Sequence, residues 1–309
     1  MMQDNDRQAF PTLVEKFGHK LVSRTSAMGP CPICDKGHRT ANSKLSISPT
    51  GRLLFICFAC WAKLPELIEA GFLGRGETKI RFNPPTKAER ELAEALAESH
   101  LQQGAERRRR LWDSAYAIPP DSPAWRYWAG RDIDPNLLIA SGARTRLDVW
   151  HGESRQNLPA TIFQVQGCER DLCQLHTIYH TIQGGRPEVT PRKRMSGPVK
   201  GGGSALVNTP DSDVLSVSEG VENGFSVRMM DPTVGKVIAT LAAPNMASFK
   251  INFAAQIKTV RIYGDIGEAG ERAATMLGQR CEDAGYSTKI FLPPKGVGDW
   301  NDMLLKGHG

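Results

Sequence analysis

Residues 260–274 read VRIYGDIGEAGERAA. An apolar strand-like run, carrying Val260 and Ile262, ends on Asp265, and a glycine-containing turn then opens into an alanine-rich helical stretch. A carboxylate just past a strand end stands where parallel α/β sheets gather their ligands. One Asp holds a metal ion poorly by itself, however, and the position two residues on, where a partner on the same side belongs, is Gly267.

The neighbouring sequence supplies more acids at equivalent points. From residue 211 the chain alternates: DVLSVSEG is a strand ending at Glu219, VENGFSVRMM a helix, KVIATLA and TVRIYGD strands, EAGERAATMLGQRCEDAG a helix and STKIFLPP a strand. That rhythm predicts an α/β domain with a mostly parallel sheet. Glu219, Asp265 and the pair Asp299 and Asp302 of GVGDWNDML would then collect at the carboxyl edge of the sheet. Hard oxygen ligands converging there suit Mg²⁺ or Mn²⁺, which keep several waters and take the remaining ligands from a phosphorylated substrate.

The front of the chain carries different chemistry. Cys31-x2-Cys34 and Cys57-x2-Cys60, with 22 residues between the pairs, bring four thiolates to one tetrahedral Zn²⁺. Between them KLSISPTGRLLFIC reads as two short strands joined by a turn, the outline of a zinc ribbon, with the ion expected to replace a hydrophobic core that so short a segment cannot build. Bases outnumber acids eight to one between residues 16 and 63, whereas residues 211–309 hold ten bases and twelve acids, so the net charge of +6 sits at the front. Arg39, Lys44 and Arg52, beside Phe55, Phe58 and Trp61, suit a surface that follows a single-stranded phosphate backbone and stacks bases, although such aromatics also serve to pack around the knuckle.

Four segments are expected in the 309 residues: a four-cysteine domain over 1–80, a helical linker over 81–118, an α+β region over 119–208 and the acid-bearing domain over 209–309. Pro84-Pro85 opens the linker, and Leu92, Ala93 and Leu96 recur beyond it at helical spacing. Arg107 to Arg110 reads as a solvated helix face or a basic contact. SPAWRYWAGRDIDPNLL forms a small helical unit, and TIFQVQ and CQLHTIYHT alternate like antiparallel strands, with His176 and His180 on one side. Residues 184–204 lack periodicity and read as a flexible basic loop in which Arg192, Lys193, Arg194 and Lys200 wrap phosphates.

The composition excludes other classes. No apolar run approaches the ~20 residues of a bilayer span, and MMQDNDRQAF is no secretory signal. A cytoplasmic protein without membrane contact is expected. No Gly-x4-Gly-Lys-Ser/Thr sequence occurs, so the chain brings no P-loop motor of its own.

VLSVSEGVENGFSV, VRIYGDIGEAGERAA and GVGDWNDML, in that order, resemble the three motifs of the Toprim domain, a Rossmann-like fold. With the basic connector and the four-cysteine ribbon ahead of them, the chain resembles the zinc-ribbon/Toprim primases of phages, plasmids and integrative elements, relatives of the DnaG-type enzymes. The resemblance implies a DNA primase, a nucleotidyltransferase that copies single-stranded DNA into short RNA primers from ribonucleotides, with structural Zn²⁺, catalytic Mg²⁺ or Mn²⁺ and a separate replicative helicase as partner. It implies that Glu219 is the general acid or base, and that Asp265 begins the Asp-x-Asp motif. Asp299 and Asp302 correspond to the late acidic motif that helps to hold the divalent ion. Gly267 replaces the usual second Asp, and Glu268, one residue on, is the candidate to supply the missing oxygen. Two other readings stay open: a non-catalytic single-strand-binding or loading factor of RecR-type logic, and a Toprim nuclease.

Overall fold

The computed structural model describes residues 4–35, 41–48, 53–72, 87–168, 172–251 and 256–307. The chain divides into two compact units, residues 1–99 and 100–309.

In the first unit α1 (Asp4–Lys16) precedes four strands, β1 (Lys20–Ser23), β2 (Ser26–Gly29), β3 (Ser43–Ile47) and β4 (Leu53–Cys57), followed by α2 (Leu64–Glu69). The strands form one antiparallel sheet in chain order. The two expected strands are β3 and β4, in a register that sets Leu45 opposite Phe55. Phe10, Leu13 and Val14 of α1, with Phe17 just beyond it, follow helical spacing and pack on Ala27, Leu45, Leu53 and Phe55. The unit therefore builds an apolar core of its own, which corrects the expectation that the ion stands in for one. That expectation left out α1, whose buried side chains each contribute about 1.5–3 kcal/mol of transfer free energy.

The second unit takes in the end of α3 (Lys87–Ser114), then β5 (Tyr116–Ala117), α4 (Pro123–Ala129), α5 (Pro135–Ala140), β6 (Arg144–His151), β7 (Gln156–Val165), β8 (Gln174–Tyr179) and β9 (Lys193–Ser196). These five strands make an antiparallel sheet in chain order. Ser122 and Asp134 cap α4 and α5 by accepting from Trp125 N and Asn136 N, each ahead of a proline at the first helical position. The basic stretch expected to be a loop is partly a strand. β9 pairs with the fully buried β8, and because backbone hydrogen bonds hold it, its mainly polar residues carry no strand signature.

The remaining elements are β10 (Ser204–Val207), β11 (Val214–Ser218), α6 (Val221–Met230), β12 (Lys236–Ala239), α7 (Ala243–Ser248), β13 (Thr259–Tyr263), α8 (Glu268–Asp283), β14 (Ser287–Phe291) and α9 (Trp300–Leu305). The sheet order is β10-β12-β11-β13-β14. β11 to β14 run parallel and only β10 is antiparallel, so the mostly parallel sheet read from the sequence is present. Leu215, Val217, Val260 and Ile262 form its core with Ala273, Ala274, Leu277 and Cys281 of α8. Neither α7 nor α9 is expected from the sequence, each being only six residues long. Trp300 Nε1 donates to Gly264 O, and Asn301 Nδ2 to Arg131 O and Ser226 Oγ, so α9 is tied to β13, α6 and the α4 region. No helix among the described residues is long and apolar enough to cross a membrane.

Candidate functional site

Glu219 follows directly on β11, Asp265 lies two residues past β13, and Asp299 caps α9. All three line one pocket of about 280 Å³, together with Gly220, Val221, Glu222, Asn223, Leu241, His176, Lys193 and Met195. Three of the four acids expected at the sheet edge thus share a wall.

Their electrostatics fit a cation. Burial holds the Glu219 carboxyl above the usual range and the charge of Asp265 adds to this, against a backbone hydrogen bond from Ala243 and the charge of Lys193. Asp265 is likewise raised by burial; the hydrogen bond from Asn223 pulls it down, while Asp299 pushes it up. Two carboxyls that resist ionising together are relieved by a bound divalent ion. Asn223, in the first turn of α6, donates from Nδ2 to Asp265 Oδ1 at 2.8 Å. Its Oδ1 is buried without a hydrogen-bond partner, an oxygen donor left open in the pocket wall. Apart from His176, Lys193 and Met195, the side-chain donors are carboxylate and amide oxygens, which suit Mg²⁺ or Mn²⁺ better than a soft metal.

Beside the acids is a buried ion pair that was not read from the sequence. Glu222 is 3% exposed. It accepts from Lys193 Nζ at 2.6 Å and from the Tyr127 hydroxyl at 3.1 Å. Burial alone would raise its pKa, but Lys193 and Arg131 hold it below the ordinary range, so it stays ionised. Burial and the charge of Glu222 push Tyr127 far up. His176, buried, is brought down to about 4 by desolvation, with Lys193 adding to the effect and Glu222 opposing it, and its Nδ1 has no partner. His180 stacks on Tyr127 and does not line the pocket, whereas His176 does.

The pleat of β9 sorts the basic run. Lys193 and Met195 face the pocket, while Arg194 between them pairs with Glu153 at 3.2 Å. Arg192 is exposed and Lys200 lies outside the pocket lining. Arg108, within the basic run of α3, is no solvated charge: its guanidinium donates to the carbonyls of Leu172 and Cys173.

Two expected ligands stand elsewhere. Asp302 closes a capping box with Asp299, its N–H donating to Asp299 Oδ1 at 2.9 Å while its Oδ2 accepts from Asp299 N. Glu268 is exposed and 3.6 Å from Arg272. Neither lines the pocket. Gly267 has φ +114°, a conformation that strains any residue with a side chain, and its N–H donates to Glu271 Oε1 at 3.1 Å. The glycine therefore belongs to a turn of its own shape.

In the first unit, the sulfurs of Cys31, Cys34, Cys57 and Cys60 all lie within 4.8 Å of one another, the only such His/Cys/Asp/Glu group among the described residues. Cys34 and Cys57 Sγ are 3.6 Å apart, Cys31 and Cys60 3.8 Å. The N–H groups of Ala59 and Cys60 point at Cys57 Sγ. Burial pushes that thiol up, but these two donors together with side-chain hydrogen bonds from Cys60 and Cys34 bring it to about 7, favouring the thiolate that a zinc ion needs. Asn42 braces the other knuckle, accepting from Cys31 N and donating to Cys34 Sγ. Phe55 belongs to the core, whereas Phe58 and Trp61 are 48% and 65% exposed. Lys44 is half-buried on β3, and Arg39 and Arg52 lie outside the described residues.

Residues 214–308 match the Toprim domain family, and residues 102–206 match a domain of unknown function (DUF7146). No curated protein matches the chain. Similar solved structures include the primase fragment of the bacteriophage T7 primase-helicase protein (13% identity, 91% of this chain and 95% of that chain, TM-score 0.44). A DNA primase domain from Pseudomonas aeruginosa is 13% identical, over 67% of this chain and 75% of that chain, with a TM-score of 0.45. The zinc-binding and RNA polymerase domains of the Aquifex aeolicus primase are 13% identical, over 98% and 82%, with a TM-score of 0.39.

The C-terminal part of the chain is a Toprim domain. In sequence it follows a four-cysteine module of zinc-ribbon type, the organisation that the three acidic motifs and the paired cysteines resembled.

Proposed function

We propose that the protein is a DNA primase, which copies single-stranded DNA into short RNA primers by metal-dependent nucleotidyl transfer in the cytoplasm. The observation that carries this reading is the convergence of Glu219 and Asp265, from the ends of β11 and β13, and of Asp299, from the cap of α9, on one pocket that also holds Lys193.

Glu219, Asp265 and Asp299 are the residues to hold Mg²⁺ or Mn²⁺, with the open Oδ1 of Asn223 beside them. When bound, the ion neutralises phosphoryl oxygens as the α-phosphate is attacked and pyrophosphate leaves. Glu219, at the end of β11 in the pocket wall, is the carboxylate to accept the proton of the attacking 3′ hydroxyl. Lys193 is half exposed, so it presents positive charge to the nucleotide phosphates while Glu222 fixes its position. Arg192, Arg194 and Lys200, and in the first unit Lys44 with Arg39 and Arg52, contact the template backbone. Zn²⁺ on the four cysteines is structural. A replicative helicase is a separate partner.

Purified protein incubated with single-stranded DNA, labelled ribonucleotides and Mg²⁺ should yield short RNA, and Glu219→Gln should abolish it. Absence of product, or product indifferent to that substitution, refutes the reading. Gly267 supports a second one, a binding factor without chemistry, which predicts DNA binding unaffected by Mg²⁺ and by Glu219→Gln.

A further inference from the structure

On one face of the antiparallel sheet, Ile162 of β7 is buried under Leu111 and Trp112 at the end of α3. Two and four residues further along the same face stand Gln164 and Gln166, both with exposed side chains. The result is a cavity of about 550 Å³, larger than the acidic pocket and sharing no residue with it. β10 closes one side with Ala205. The backbones of Gln166 and Gly203 exchange two hydrogen bonds, which fixes that wall.

The lining has a definite chemistry. Arg144 lies over the Trp112 ring, its guanidinium carbon 4.3 Å from the centroid, and donates from Nη1 to the Trp112 carbonyl. Among the described residues neither glutamine amide has a hydrogen-bond partner, and no acidic residue lines the cavity. A planar cation held on an indole offers a flat stacking edge, and each free amide offers a donor and an acceptor side by side, the pattern that reads a base edge. The volume falls in the ~300–1,000 Å³ range of small-ligand sites, enough for a base with its sugar. A cationic ligand would find no counter-charge there, whereas an attached phosphate would find Arg144.

We infer that this cavity is a second nucleobase-binding site, in which a base stacks beside the Arg144–Trp112 pair and is hydrogen-bonded by Gln164 and Gln166. The base could belong to a nucleic-acid strand or to a free nucleotide. The inference does not depend on primer synthesis, because binding is read without added Mg²⁺.

The test uses the full chain in its zinc-loaded form. An oligothymidylate is photo-crosslinked to the protein, without added divalent cation, and the attached peptides are identified by mass spectrometry. Crosslinks are expected on the peptide carrying Trp112 and Tyr116. The double variant Gln164→Ala/Gln166→Ala, changed at exposed positions, and Ala205→Trp, which fills the cavity from β10, should each reduce them at least about fivefold, the scale of one stacked base. Arg272→Ala, exposed on α8 and outside both cavities, should leave them unchanged. Competition by uridine or adenosine identifies a free-nucleotide site; crosslinking that only oligonucleotides displace identifies a strand site. Crosslinks confined to other peptides, or persisting in both cavity variants, overturn the inference.

Discussion

Asn223 and Asp265 form a donor–acceptor pair across the pocket, amide nitrogen to carboxylate oxygen at 2.8 Å, and the amide oxygen on the other side of the same group has no partner. Asn223 thus orients the acid and presents an oxygen of its own. Removing an orienting partner of a ligating carboxylate typically lowers metal affinity about 10–100-fold. Asn223→Ala is expected to weaken Mn²⁺ binding by that order, measured calorimetrically or by electron paramagnetic resonance, with the fold intact by circular dichroism. Unchanged Mn²⁺ affinity would remove Asn223 from the site.

The raised carboxyls carry a signature in pH. A carboxyl whose folded pKa lies above its unfolded value favours the fold at low pH, and that contribution is lost as pH rises through the folded pKa. Glu219 and Asp265 both belong to this case. Without metal at pH 7–8, Glu219→Gln should therefore be more stable than the wild type, by about 0.5–2 kcal/mol, the usual size of a single stabilising substitution. The difference should close below the ordinary carboxylate range near pH ~4. Thermal melts across pH, with and without Mg²⁺, test this, and Mg²⁺ should raise the wild type more than the variant.

Glu222 has the opposite sign. Its lowered pKa contributes stability at neutral pH that disappears as pH falls through the folded value. Lys193→Ala strands a buried carboxylate and should cost about 3 kcal/mol, near the low end for a broken buried pair because Lys193 itself is half in water. Glu222→Gln keeps an acceptor for Tyr127 and should cost about 1 kcal/mol. Urea denaturation ranks the two, and the Lys193→Ala deficit should shrink toward pH 4 as Glu222 takes up a proton.

Gly267→Asp would restore the second acid of the motif, yet the backbone there lies at φ +114°. Open space surrounds the position, so the penalty is conformational and not a clash, about 1–3 kcal/mol. The substitution should lower stability without tightening Mn²⁺ binding. A gain in affinity at no loss of stability would show that the turn readily adopts another shape.

The four cysteines predict one zinc per chain by elemental analysis, lost in Cys57→Ser. Because α1 and the sheet also share an apolar core, metal removal should loosen β3, β4 and their knuckles more than α1. Hydrogen exchange resolves the two.

The acids were legible in the sequence because apolar runs mark strand ends and a parallel sheet collects whatever follows them. The cysteines were legible by spacing alone. Glu222 and Asn223 were not, since their stretch reads only as a helix, and nothing local says that its first turn faces the pocket. His176 was visible only as half of a pair with His180, until burial on β8 separated their surroundings. β9 escaped because pairing with a buried neighbour, and not its own composition, makes it a strand. Asp302 and Glu268 were plausible as ligands by proximity in sequence, but a helix cap and an exposed helix start use them differently.

Lys193 and Tyr127 belong to the segment that precedes the Toprim domain, yet both hold Glu222 inside it. The domain is consequently no portable cassette. A fragment begun at Val214 would keep every acid of the pocket while losing the counter-ion and the hydroxyl that make Glu222 tolerable there. Grafting or truncation should respect residues 100–309 as one inheritance.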